Sequence, residues 1–322
     1  MRGAASWEPT ATLAALRLRA RLLTRTREFF AARGVLEVET PILGTSTATD
    51  PHIESLRTSV AGGARFLQTS PELFMKRLLA AGSGPIYQIA RVFRDGESGA
   101  RHNSEFTLLE WYRLGLDHHG LMDEVDQFLQ EVLGSTPSMR ESYAGAFEEW
   151  VGLDPHLAGA DELRSRAEAL GHPAFSSGGF SREDWLHLLM AQAVEPHLGN
   201  ERPHFLYDFP LELKALARVR KGEGGGPDVA ERFELFVGGL ELANGYHELT
   251  DAFEQRRRFL ADLESRRTLG RAELPIDEKM LAALDRGLPS CAGVALGFDR
   301  LVMIAADAGA IDSVIAFPDD RA

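Results

Sequence analysis

The chain lacks most of the features that mark a secreted or membrane protein. Its 322 residues include one cysteine, Cys291, so no disulfide can form within the chain and a reducing compartment is favoured. No apolar run approaches the roughly 20 residues that a helix needs to cross a bilayer. Residues 1–9 contain no apolar segment of the kind that directs secretion. We therefore expect a cytoplasmic protein without a membrane partner.

The chain also lacks an excess of positive charge, since 48 acidic residues outnumber 35 lysines and arginines and the formal net charge is −13. A protein that binds nucleic acid mainly by neutralising phosphates should carry a broad basic excess, so this balance disfavours tRNA as a partner. One basic run does occur, in a segment with helical periodicity. The run consists of Arg17, Arg19, Arg21, Arg25 and Arg27. It is interpreted either as a solvated helix face or as a docking surface for an acidic or nucleic-acid-like partner.

Apolar periodicity predicts an α+β fold with an antiparallel β-sheet flanked by helices. The length alone would allow two domains, and we expect a single one over residues 1–322. The predicted helices are residues 13–32, 71–81, 121–133 and 256–268, and the predicted strands are residues 35–39, 65–69, 86–93, 106–112, 233–237 and 240–249. The stretch 142–203 reads as a mainly helical insertion. The glycine-rich stretch 221–227 is interpreted as a mobile connection, because no Lys-Ser/Thr pair follows it as a phosphate-binding loop requires.

Three separated segments carry the strongest signal. The first is the helix that begins at residue 13 and runs into GVLEVETP, ending at residue 41. The second is the hairpin of residues 86–112, whose polar connection and second strand read RDGESGARHNSEFTLLEWY from residue 94. The third is GVALGFDRL at residues 293–301, which continues to residue 305, and ELANGYHEL at residues 241–249 precedes it. Each segment alone is weak evidence, but the segments together, in this order, are specific to one protein family.

These segments resemble motifs 1, 2 and 3 of the class II aminoacyl-tRNA synthetases, and the fourth stretch is similar to the lysine branch. The resemblance implies the fold of that catalytic domain, a homodimer built on motif 1, and activation of an amino acid by ATP with Mg²⁺. Arg94 and Arg300 match the catalytic arginines, which suits a reaction that needs charge neutralised at a phosphate. The stretch HELTD at residues 247–251 lacks the second histidine of a zinc protease helix.

The resemblance assigns further residues by their place in the motifs. ATP binding falls to Arg94, Glu97, His102, Asn103, Phe106, Glu241, Leu242, Gly297 and Arg300, and Mg²⁺ binding to Glu234 and Glu241. Amino acid binding falls to Ser70, Glu72, Glu110, Tyr112, Asn244, Glu248 and Ala295. A buried ammonium group needs carboxylate partners, so these glutamates favour a diamino acid over aspartate or asparagine.

Residues 6–322 match only the catalytic part of a lysyl-tRNA synthetase, and we expect no anticodon-binding domain. The chain is most similar to a shortened branch of the family that joins (R)-β-lysine to a lysine of elongation factor P. Ala295 stands where lysyl-tRNA synthetases usually have glycine, and one methyl group there would favour a β-amine over an α-amine by about 1–3 kcal/mol. Activation of α-lysine for another acceptor and a non-catalytic regulatory subunit are the alternatives. Motif 2 usually reads Arg-x-Glu, whereas here Gly96 follows Asp95 and Glu97 comes one place late.

Overall fold

The computed structural model describes residues 7–171 and 180–322. Its α-helices are α1 Leu13–Ala32, α2 Glu72–Ala80, α3 His118–Leu133, α4 Tyr143–Val151, α5 Ala160–Ala169, α6 Arg182–Leu189, α7 Ala252–Thr268, α8 Glu278–Gly287 and α9 Phe298–Ala306. Its strands are β1 Leu36–Glu37, β2 Leu43–Gly44, β3 Arg57–Val60, β4 Gly63–Leu67, β5 Ile86–Phe93, β6 Glu105–Leu114, β7 Met139–Ser142, β8 His204–Phe209, β9 Val219–Arg220, β10 Val229–Val237, β11 Leu240–His247 and β12 Cys291–Gly297. A π-helical turn, Met190–Val194, continues α6, and 3₁₀ turns occur at Glu195–His197, Leu211–Leu213 and Ile311–Ser313.

The chain folds into two compact units. The first consists of Met1–Gly115 and Thr250–Ala322, and the second of Leu116–Leu249. The assignment of residues 1–322 to one catalytic domain stays a prediction. Among the described residues, no helix combines the length and the apolar character that crossing a bilayer requires.

The first unit contains four neighbouring strands in the order β1-β5-β6-β12. β5 and β6 form an antiparallel hairpin from the Ile86–Tyr112 pair to the Phe93–Glu105 pair, and β12 is antiparallel to β6. β1 is parallel to β5 at the edge. A small antiparallel sheet, β2-β4-β3, lies in the same unit. The chain between β5 and β6 is the polar connection of motif 2.

The second unit contains the strands β11-β10-β8-β7, with β9 also paired to β10. β7 and β8 are parallel, and the other pairs are antiparallel. Helices α4, α5 and α6 share one apolar core with β8 and β10, and it includes the buried side chains of Tyr143, Phe147, Leu186, Leu206 and Phe236. The mixed α and β composition with mainly antiparallel strands confirms the predicted fold class.

Most predicted elements occur within a few residues of their expected bounds. α1 has the predicted limits, and its first turn is capped by the Thr12 hydroxyl, which accepts from the Ala15 amide. The strand expected at residues 35–39 was too long, since only Leu36–Glu37 pairs with β5. The strand expected at residues 65–69 lies at Gly63–Leu67. Residues 142–203 carry α4, α5 and α6, as expected of a helical stretch, and residues 172–179 of that stretch lie outside the described residues.

A candidate amino acid activation site

Small residues on β12 face large residues on β6. Side chains of a strand alternate between its two faces, so the alternate residues of β6 from Leu108 to Tyr112 share one face. In the antiparallel register Ala295 lies opposite Glu110, Gly293 opposite Tyr112 and Gly297 opposite Leu108. Because two of these three β12 residues lack a side chain, the Ala295 methyl is the β12 side chain that projects beside Glu110 on this face.

Glu110 is the centre of a buried hydrogen-bond network. Its side chain is 2% exposed. One carboxylate oxygen accepts from the Ser70 hydroxyl at 2.8 Å, and the other accepts from the Tyr112 hydroxyl at 2.7 Å. The Ser70 oxygen also accepts from the backbone amide of Glu72 at 3.0 Å. Four of the residues predicted to bind the amino acid are therefore brought together at one place in the first unit.

Glu72 has a charged partner that the sequence analysis missed. The Lys76 ammonium donates to the Glu72 carboxylate at 2.5 Å, four residues along α2, and the lysine is only 1% exposed. A glutamate followed by a lysine at this spacing places both side chains on one helix face, so the signal was present in the sequence. Because a buried ammonium must be paired, this ion pair restrains the Glu72 side chain.

Arg94 lies at the start of the motif 2 connection, next to two other predicted ATP-binding residues. Its guanidinium is 3.4 Å from the Glu97 carboxylate and 5.1 Å from the centre of the Phe106 ring. The backbone amide of Arg94 donates to Ser104 at 2.9 Å, which closes the base of the loop. Gly96 has a φ of 79°, a left-handed conformation that glycine adopts without strain. The turn at Gly96 thus lets Glu97 face Arg94 although it comes one place late in the motif.

The rest of the connection meets motif 3 and the C-terminal segment. The Arg300 guanidinium is 2.7 Å from Nε2 of His102, which joins two predicted ATP-binding residues. Both ends of the Asn103 amide bind backbone, with Nδ2 donating to Glu105 at 2.7 Å and Oδ1 accepting from Asp319 at 3.0 Å. The predicted side-chain contact of Asn103 with adenine must therefore use its second N–H or follow a rearrangement of these bonds.

A second network connects the three motifs and was missed by the sequence analysis. Arg19 of α1 forms an ion pair at 2.5 Å with Asp299 of α9, and it also donates to the Thr107 hydroxyl of β6 at 2.7 Å. Asp299 accepts from the Thr107 amide at 2.6 Å and is 2% exposed. Arg19 therefore does not belong to a solvated helix face, whereas Arg17 and Arg21 are exposed.

In the second unit, the predicted metal-binding glutamates lie on neighbouring strands. β10 and β11 are antiparallel, with Glu234 opposite Asn244 and Glu241 opposite Phe236 across a bulge. Arg232 forms an ion pair with Glu234 and donates to the Asn244 amide oxygen at 3.3 Å. Asn244 and Glu234 are thus held by the same guanidinium, which the sequence analysis did not single out.

The two carboxylates influence each other. Burial raises the pKa of Glu234 to about 7, with Arg232 opposing the rise and the charge of Glu241 adding to it. A carboxyl group with this pKa is partly protonated at neutral pH, and a divalent cation bound to Glu234 would replace that proton. Hard oxygen donors are the ligands that Mg²⁺ prefers, so this donor set fits the ion.

The remaining predicted residues of the second unit are buried. Leu242 is 2% exposed and Glu248 is also 2% exposed. Glu248 follows β11 and forms an isolated bridge with Ala217. A carboxylate buried to this degree needs a polar or cationic partner.

Comparison with known proteins decides the family. The model of the family "tRNA synthetases class II (D, K and N)" matches residues 6–321 of the chain. The chain belongs to this family. Similar curated proteins are the elongation factor P--(R)-beta-lysine ligases of Vibrio cholerae serotype O1, 48% identical with 98% of each chain covered, and of Proteus mirabilis, 48% identical with 99% of each covered. The ligase of the same name from Edwardsiella ictaluri is 48% identical, also with 99% of each chain covered.

Membership of the class II family confirms the resemblance inferred from the three motifs. The structure brings together Ser70, Glu72, Glu110 and Tyr112 around one face, and Arg94, Glu97 and Phe106 at the base of the motif 2 connection. The binding roles of these residues remain predictions. ATP use follows from the family.

Proposed function

We propose that this chain activates (R)-β-lysine with ATP and transfers it to a lysine side chain of elongation factor P. One observation carries the proposal: ligases with this activity in their names are 46–48% identical to the chain over nearly its whole length. The polar cluster around Glu110 supports it, because a diamino acid needs carboxylates at its ammonium groups. The acceptor is a translation factor, so we propose that the reaction takes place in the cytoplasm.

The first step forms an aminoacyl-adenylate. An oxygen of the amino acid carboxylate attacks the α-phosphate of ATP, the bond to the β-phosphate breaks, and pyrophosphate leaves. We assign Arg94 to the α-phosphate and the substrate carboxylate, because a planar guanidinium can bind oxygens of both. Arg300 is assigned to the distal phosphates, together with His102, which the structure places beside it.

The second step transfers the acyl group. The unprotonated amine of the acceptor lysine attacks the acyl carbonyl carbon, an amide bond forms, and AMP leaves with the electron pair of the broken acyl–oxygen bond. The protein's contribution to both steps is orientation and charge neutralisation, since neither step needs a covalent bond to a side chain.

Several residues are assigned to the amino acid, each on its own evidence. In the first unit Glu110, Tyr112 and Ser70 form the hydrogen-bonded cluster, and Ala295 lies opposite Glu110. Glu72 is assigned to the amino group nearest the carboxylate of the amino acid. In the second unit Asn244 and the buried Glu248 are assigned by their positions in ELANGYHEL.

For the nucleotide, we assign Phe106 to stacking on adenine and Glu97 and Asn103 to its polar edge. Phe106 already lies 5.1 Å from the Arg94 guanidinium, so the ring and the phosphate-binding group are adjacent. Gly297, Glu241 and Leu242 complete the assigned set. Glu234 and Glu241 would hold Mg²⁺, which when bound neutralises charge on the phosphates.

We further propose that two copies associate through motif 1. In and beside residues 13–41, large apolar side chains are exposed, with Leu13 at 68%, Leu36 at 55% and Ile42 at 45%. Exposed apolar side chains therefore occur at both ends of motif 1, and burying such groups favours association. The net charge of −13 disfavours tRNA as acceptor.

Pyrophosphate exchange with the purified protein tests the proposed activation. Labelled pyrophosphate should enter ATP when (R)-β-lysine is present, more efficiently than with α-lysine or ornithine. A strong preference for α-lysine would favour the alternative, activation of α-lysine for another acceptor. Absence of exchange with all three amino acids would favour a non-catalytic subunit.

A further inference from the structure

Two adjacent histidines and an aspartate meet at one place in the second unit, at the start of α3 and the end of β8. One potential ligand atom each from His118, His119 and Asp208 lie within 4.8 Å of one another. His118 Nε2 is 3.1 Å from Asp208 Oδ1, and the two imidazole rings are 4.1 Å apart. None of these residues has a role in the proposed ligase reaction.

The hydrogen bonding of His118 is incomplete. The residue is 1% exposed, and its Nδ1 is buried without a hydrogen-bond partner among the described residues. If the neutral ring carries its proton on Nε2 and donates to Asp208, the Nδ1 lone pair faces no donor. If the proton is on Nδ1, the Nε2 lone pair faces a carboxylate. A cation between Nε2 and Asp208 would remove the repulsion between the lone pair and the carboxylate in the second form, and Nδ1 would keep its buried position.

The backbone at Asp208 is unusual. Its φ of 59° is in the left-handed region, although Asp208 is not a glycine and lies within a strand. The pairing of β8 with β10 also shifts its register here, between the Phe209–Ala230 pair and the Tyr207–Phe233 pair. A β-bulge changes the direction in which nearby side chains point, and strained backbone conformations occur frequently at functional sites.

The Asp208 carboxylate has a second partner, the guanidinium of Arg220. Arg220 binds the other oxygen of that carboxylate and so orients it, as outer-shell partners of metal ligands do.

We propose that His118, His119 and Asp208 form a binding site for a transition metal ion such as Zn²⁺, with water as a further ligand. Two imidazoles and one carboxylate suit Zn²⁺, Co²⁺ or Ni²⁺ rather than Mg²⁺. The ligands come from α3 and β8, 90 residues apart in the chain. A bound ion would therefore join the start of the helix to the end of the strand and stabilise the second unit.

The test uses the full-length protein, stripped of metal with a chelator and titrated with Zn²⁺ against a chromogenic chelator. Excess Mg²⁺ is present so that oxygen-only sites are occupied. Wild type should bind one equivalent of Zn²⁺, and both His119→Gln and Asp208→Asn should weaken binding by about tenfold or more. Asparagine tolerates the left-handed backbone at residue 208, so the second variant keeps the local conformation.

His187→Gln is the matched control, because His187 is a half-exposed histidine of the same unit outside the cluster. It should bind Zn²⁺ as wild type does. Zn²⁺ should also raise the Tm of wild type and of this control but not of His119→Gln. A wild-type protein that does not bind Zn²⁺ would overturn the proposal. So would a folded His119→Gln and a folded Asp208→Asn that bind Zn²⁺ as tightly as wild type.

Discussion

Ala295 lies directly opposite Glu110 in the antiparallel pairing of β12 with β6. The glutamate carboxylate accepts hydrogen bonds from the hydroxyls of Ser70 and Tyr112, so its position is fixed. On β12, the residue paired directly with Glu110 is Ala295, whose methyl group lies on the same face of the sheet. The register thus puts the residue that departs from lysyl-tRNA synthetases beside the carboxylate that we assign to the amino acid.

Ala295→Gly should move the preference of the enzyme toward α-lysine. Removing the methyl group takes bulk from the strand opposite Glu110, where we expect an α-amine to need space. The ratio of kcat/KM for α-lysine to that for (R)-β-lysine should rise roughly tenfold, about 1.4 kcal/mol. Ala292→Gly is the matched control, because Ala292 lies on the same strand opposite Arg113 and faces the other side. An unchanged ratio in Ala295→Gly would mean that residue 295 does not contact the substrate.

Arg94→Ala should lower pyrophosphate exchange by roughly 100-fold or more while the protein stays folded, because a group that neutralises charge in the transition state is lost. Arg91→Ala is the control, since Arg91 is an exposed arginine of the preceding strand paired with Glu105. It should keep near-normal exchange. Equal activity of the two folded variants would contradict the assignment of Arg94.

The requirement for Mg²⁺ should depend on pH through Glu234. Its pKa in the folded protein is raised to about 7, so the carboxylate is largely protonated below that pH and ionised above it. Mg²⁺ must displace the proton, so the apparent affinity for Mg²⁺ in pyrophosphate exchange should strengthen as the pH rises through about 7.

The same shift has a consequence for stability. A carboxyl whose pKa is higher in the folded protein than in the unfolded chain favours folding while it is protonated. That contribution is lost as the pH rises from the unfolded value of 4.5 toward about 7. In Glu234→Gln, both the pH dependence of Mg²⁺ affinity and this part of the pH dependence of unfolding should be smaller. A wild-type Mg²⁺ affinity that does not change over this range would contradict the displacement of a proton from Glu234 by Mg²⁺.

Arg19→Met should destabilise the protein by about 3 kcal/mol, because it leaves the buried carboxylate of Asp299 without its cationic partner. Arg17→Met changes the same residue type on an exposed position of α1 and should have little effect. Denaturant unfolding of both variants measures the difference. Similar free energies of unfolding for the two variants would show that the Arg19–Asp299 pair does not stabilise the fold.

The protein should be a homodimer at micromolar concentration, and light scattering measures its mass. Leu36→Glu, at an exposed apolar position of motif 1, should shift the population toward monomer because it places a charge in the proposed interface. Leu157→Glu is the control, since Leu157 is 80% exposed and lies outside motif 1. A wild-type monomer at all concentrations would contradict the proposed assembly.

The sequence predicted the parts of the fold that depend on local pattern. The bounds of α1 and the β5–β6 hairpin were predicted from apolar periodicity, and the structure adds the cap at Thr12, which was not predicted. The strands β3 and β8 and the helix α8 were missed. β3 has no buried residue to reveal an alternating pattern, and β8 has three consecutive buried residues at its start, so neither shows the period of a half-buried strand.

For the candidate site, motif residues could be named but their partners could not. The ion pairs Arg19–Asp299 and Arg232–Glu234 involve arginines that look like surface charge in the sequence. Only the register and the packing show that they hold site elements in place. Lys76 is different, because its spacing from Glu72 on a helix made the pair predictable. The His118–Asp208 contact joins residues 90 positions apart and had no local signal.

The most direct test of the proposed function is transfer to the acceptor. Purified elongation factor P is incubated with this protein, ATP, Mg²⁺ and (R)-β-lysine, and its mass is then measured with the modified residue located by peptide fragmentation. We predict a mass increase of one lysyl group on a single lysine side chain, which requires ATP and disappears with Arg94→Ala. If wild type activates (R)-β-lysine but leaves elongation factor P unmodified, the proposed acceptor is wrong.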